Sequence, residues 1–155
     1  MSIQSRIMHF VVGVMCERPV RGISADALLA RFRASQLPFT AALQHKSDTA
    51  ANRTLVAHII GIERWAQARL DQMHSGVPHQ AESNAYIPTT DVSYAELVTL
   101  ADTTRTASIA LLNSVVTANL PLTQHVMHTD IGSLSVAGWI QYMMTHSMHE
   151  AKKLR

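Results

Sequence analysis

The sequence predicts an all-α chain: a four-helix bundle with one long loop between its second and third helices. Three observations carry this. Apolar residues recur at three- and four-residue steps in four separate stretches, and two stretches open on helix-capping residues. No succession of segments alternates apolar and polar residues as strands do.

The first helix opens at "SADALLARFRASQ", where Ser24 can cap and Asp26 favours the positive helix end. Leu28, Leu29 and Phe32 recur at helical spacing. Pro38 then kinks or ends the helix, with "FTAALQH" able to continue as a second piece. The second helix covers roughly 49–74 and ends before Gly76. Its Leu55, His58, Ile59, Ile62, Ala66, Arg69 and Leu70 fall at helical steps, so His58 lies on or beside the apolar stripe. "VPHQAESNAYIPTTDV" carries two prolines and many turn formers, which predicts a long loop over 76–92.

The third helix begins at a capping box, "SYAE", in which Ser93 and Glu96 satisfy each other's backbone donors. Leu97, Leu100, Thr104, Ala107 and Leu111 carry it to about 116. Pro121 and the "DIGS" turn predict a short extended excursion over 118–134. The fourth helix starts near Ser133 or Ser135 and runs into "THSMHEAKKLR".

At 155 residues the chain suits one domain, placed at 24–155 and preceded by an extension at 1–23. The apolar run at 7–16 is interrupted by His9, lacks a small-x-small cleavage site and is too short to span a bilayer. A formal charge of +2, with aromatics at 5%, supports no nucleic-acid partner. Cys16, the single cysteine, forms no internal disulfide, so a reducing cytoplasmic setting is expected.

Candidate chemistry gathers at three positions. His58 leans toward the core from the second helix, while His146 and Glu150 lie four apart on the fourth and share a face. Two imidazoles and a carboxylate suit Zn²⁺, Ni²⁺ or Fe²⁺ and leave coordination positions open. His149 is the alternative to Glu150, although it points about 100° away from it. A plainer reading makes His146 and Glu150 a surface pair, Glu63 and Arg64 a solvated charged edge, and Trp65 and Trp139 packing residues. His125 and His128 fall where they can line a pocket mouth. The sequence has no Gly-rich phosphate loop, nucleophile elbow or paired CxxC.

The order "LVAHIIGIERWAQARL", then a long loop and helix, then "GSLSVAGWIQYMMTHSMHEAKKL" resembles the DinB/YfiT-like superfamily from about 24 to 155. The resemblance implies a metal-binding four-helix bundle that forms homodimers, some members being thiol-dependent transferases or isomerases. It places His58 and His146 at ligand positions. Glu150 stands where most of the family has histidine, and Gly61 where an aspartate is frequent. The implied activity is thiol transfer to an electrophile or metal-assisted hydrolysis, with a divalent metal (Zn or Ni first, then Fe), a low-molecular-weight thiol and a small-molecule substrate. The alternative is a non-catalytic dimeric bundle acting as an interaction or structural-metal module.

Overall fold

The computed structural model describes residues 13–77, 81–129 and 131–155. Positions 1–12 of the N-terminal extension, 78–80 of the long loop and 130 of the "DIGS" turn lie outside them. The described residues form five α-helices: α1 (Ala25–Ala34), α2 (Gln36–Leu43), α3 (Ala50–Ser75), α4 (Tyr94–Thr117) and α5 (Val136–Ala151). A two-stranded hairpin, β1 (His125–His128) and β2 (Gly132–Ser135), precedes α5. The chain is thus mainly helical, as expected, but its first predicted helix is two.

The break has a local cause. Pro38 has no amide hydrogen, which is harmless only in a first turn, and it lies in the first turn of α2. Ser35 closes α1 by donating from its hydroxyl to the Phe32 carbonyl at 2.6 Å. Its own carbonyl then accepts from Phe39 N and opens α2. The other helix boundaries follow the sequence closely. Thr49 caps α3, which ends at Gly76 in the left-handed conformation that glycine adopts without strain (φ 71°). Both bonds of the Ser93–Glu96 capping box are present on α4.

The excursion after α4 is the antiparallel hairpin, with Val126 paired to Leu134. Trp139 of α5 donates from its indole to the Val126 carbonyl at 3.0 Å and ties the hairpin down. Within the N-terminal extension, a single π-helical turn (Gly13–Glu17) and a 3₁₀ turn (Arg18–Val20) pack on α5. The Glu17 carboxylate accepts from the amide and hydroxyl of Ser135, at 2.8 and 2.9 Å, where the helix dipole favours negative charge.

α3 lies against both α4 and α5, and α1 and α2 pack on α4 and α5. Two apolar clusters fill the interior. One contains Leu28, Phe32, Trp65, Leu112 and Trp139; the other contains Phe39, Leu43, Val56, Ile60, Leu97 and Leu154. No helix among the described residues is long and apolar enough to cross a membrane.

Candidate metal centre

His58 leaves α3 and His146 leaves α5, and their ring centroids stand 5.1 Å apart with the planes at 63°. That spacing can be compared with coordination chemistry. Two imidazoles bound to one tetrahedral ion, with metal–nitrogen bonds of about 2.0–2.1 Å, place their ring centroids about 5 Å apart. Nδ1 of His146 is buried and has no hydrogen-bond partner among the described residues. A nitrogen left in that state costs about 1–3 kcal/mol, so its position calls for a partner. Burial holds the His146 pKa down to about 4, with the neighbouring charges of His58, Lys153 and His149 acting the same way and Glu150 opposing. The ring is therefore neutral at physiological pH, the state a metal ligand requires. Tyr142 packs on the same imidazole at 5.5 Å.

Glu150 shares the wall of α5 with His146, and its side chain is 13% exposed. It accepts a hydrogen bond from Lys153 Nζ at 2.7 Å. Burial alone would raise its pKa, but Lys153, His146 and His58 together hold the carboxyl below the usual carboxylate range. Among the described residues, no group of three or more His, Cys, Asp or Glu side chains is close enough to hold a metal ion. The two imidazoles are assembled; the carboxylate is turned to Lys153. His149 is exposed, one helical step off this wall.

The reading of Glu63 and Arg64 as a solvated edge is corrected at Glu63. Its side chain is 2% exposed and meets Arg105, 1% exposed, with Oε2 and Nη2 at 2.9 Å. Nη2 makes no well-aligned hydrogen bond, so charge and proximity hold the pair. Ser108 donates to Oε1 at 2.6 Å, and Gln67 donates to Ser108 Oγ at 2.7 Å. A longer bond of 3.4 Å arrives from Ser147, next to His146. The guanidinium carbon lies 4.7 Å from the Phe32 ring centre and 4.6 Å from that of Phe39, between the two apolar clusters. Burial pushes the Glu63 pKa up against the pull of Arg105, Ser108 and Ser147. A signal existed in the sequence: Glu63 falls four after Ile59 and three before Ala66, on the apolar stripe.

The remaining candidates separate cleanly. His128 is a core residue, stacked on Trp139 at 5.0 Å and edge-on to Trp65 at 4.5 Å. His125 is exposed and borders a cleft of about 240 Å³ shared with Glu17, Arg21 and Thr123. Trp65 and Trp139 are packing residues, as expected. Burial, then the charge of Glu17, pushes the Cys16 thiol up to about 11, which makes it a poor nucleophile. Gly61 has a steric reason: a Cβ there would fall 2.5 Å from Ile87 Cγ1 and 3.0 Å from Ile87 Cα. The loop occupies the space an aspartate would need. No protein-family model, curated protein or solved structure matches the chain.

Proposed function

We propose that the chain is a divalent-metal protein of the DinB-like type, a four-helix bundle in which α1 and α2 together form one broken helix. His58 and His146 are the imidazole ligands and Glu150 is the third. One observation carries the reading: two imidazoles from different helices meet at the spacing of a shared ion, and one has an unpartnered buried nitrogen. A bound ion of this kind polarises an oxygen or activates water or a thiol at neutral pH. The chain's own part is to keep His146 neutral by burial, to wall one side of it with Tyr142, and to bring a carboxylate's negative charge alongside. The reaction class that follows is thiol transfer to an electrophile, or metal-assisted hydrolysis of a small molecule, in a cytoplasmic homodimer.

A second reading, a non-catalytic interaction or structural-metal module, is favoured by the engagement of Glu150 with Lys153. Calorimetric titration of tag-free, chelator-stripped protein with Zn²⁺ and Ni²⁺ separates the two. The first reading expects one equivalent bound, most of the affinity lost in His58→Ala and His146→Ala with the fold retained, and little change in His149→Ala. Metal loss that unfolds the chain assigns a structural role. Absence of stoichiometric binding removes the metal reading.

A further inference from the structure

We propose that Lys153 is a built-in competitor for this cation site: its ammonium holds the Glu150 carboxylate until a divalent ion displaces it, so Lys153 sets the metal affinity. This rests on the reading of His58 and His146 as ligands. Glu150 follows His146 by one helical turn and Lys153 follows Glu150 by three residues, so the carboxylate feels the charge of both imidazoles while it bonds to the ammonium. The contact with the ammonium, at 2.7 Å, is the only polar bond the carboxylate makes among the described residues. It accounts for a third ligand that stands on the right wall yet outside the cluster.

The placement of Lys153 is built rather than incidental. Its amide donates to the Glu150 carbonyl at 3.0 Å and closes the turn after α5. The next residue, Leu154, is 5% exposed in the core beside Phe39 and Leu43, and its carbonyl accepts from Lys46 Nζ. Asn52 of α3 then grips the Arg155 backbone from both sides, donating to its carbonyl at 2.6 Å and accepting from its amide at 3.2 Å. The backbone under Lys153 is therefore fixed, while its side chain is 52% exposed, so solvent borders the ion pair. A divalent ion arriving between Glu150 and the imidazoles has to break this ion pair and also meets the repulsion of the ammonium.

The size of the effect follows from that exposure. A solvent-screened pair shifts an equilibrium by about fivefold at most, and repulsion of the incoming ion brings the total to about three- to tenfold. Lys153 thus tunes the site without closing it. The test is Zn²⁺ affinity by calorimetry on chelator-stripped wild type, Lys153→Met and Lys152→Met, at low and at high salt. Lys152, exposed and outside the pair, controls for net charge. The expected result is an affinity about three- to tenfold tighter in Lys153→Met, a gap that narrows with salt, and less than about a twofold change in Lys152→Met. Equal affinities for wild type and Lys153→Met, or an equal gain in Lys152→Met, overturn it while the metal reading stands. Failure of both wild type and Lys153→Met to bind Zn²⁺ overturns both.

Discussion

Replacing Glu63 with Met should cost more than replacing its partner Arg105 with Met, and replacing both should cost least. Both side chains are sealed, at 2% and 1% exposure, and the guanidinium sits between two phenylalanine rings with no route to water. Arginine stays protonated in proteins. Glu63→Met therefore leaves a naked buried cation, at a cost of about 3–5 kcal/mol. Arg105→Met leaves a carboxyl that can neutralise itself, and burial already pushes its pKa upward. Its cost is then nearer that of an unmet polar group, about 1–3 kcal/mol, and should shrink as the pH is lowered. With both replaced, no charge remains and apolar volume fills the gap, which typically restores stability to within about 1–2 kcal/mol or exceeds it.

Urea unfolding of the four proteins at neutral pH measures the cycle. At this chain length each kcal/mol moves Tm by about 2–4 °C, so Glu63→Met should melt roughly 6–20 °C below wild type. The signature is non-additivity: the double variant is more stable than Glu63→Met alone, with a coupling above about 2 kcal/mol. Additive costs, or a Glu63→Met variant within about 1 kcal/mol of wild type, would refute the buried ion pair as an energetic unit.

The metal-free protein should weaken in mild acid through His146, whose pKa is about 4 when folded, against about 6.5 in an unfolded chain. A depressed imidazole pKa contributes stability that is fully present above about pH 6.5 and is lost as the pH falls toward 4, about 3 kcal/mol by that point. Urea midpoints measured with chelator at pH values spanning that window should fall more steeply for wild type than for His146→Gln; parallel curves would mean that the folded imidazole titrates normally. At Gly61, alanine would gain up to about 1 kcal/mol of helix propensity but would press on Ile87 backbone atoms, and overpacking of that kind costs about 1–3 kcal/mol. Gly61→Ala should therefore show a lowered Tm and faster amide exchange at Ala85 and Ile87, and a raised Tm would show that the loop yields without strain.

The helices were legible because their causes are local. Ser24, Ser93 and the glycine at 76 act within one turn, and the stripe that contains His58 is a property of α3 alone. The break at Ser35 was half legible: Pro38 announced an interruption, but a single residue between two helices depends on the Ser35 hydroxyl closing one of them. The buried ion pair was missed for a different reason. Glu63 and Arg105 each sit on an apolar stripe, yet they lie 42 residues apart on different helices. No short-range rule pairs them, and a charge read alone is assigned to water.

That same pair bears on why the two histidines meet at all. Packing along an apolar stripe resists rotation of a helix about its axis through many small contacts. A buried carboxylate adds one large penalty, since turning it away from Arg105 strands two charges at several kcal/mol. Glu63 thereby fixes the rotation of α3 against α4. His58 lies five residues earlier, about 140° around the same helix, so its direction is fixed along with that of Glu63. α5 is bound only weakly by the 3.4 Å bond from Ser147, and Trp139, Met143 and Met144 hold it by packing. The two sides of the candidate centre are therefore positioned by different forces: His58 by the rotation that an ion pair imposes, His146 by the close packing of a helix face.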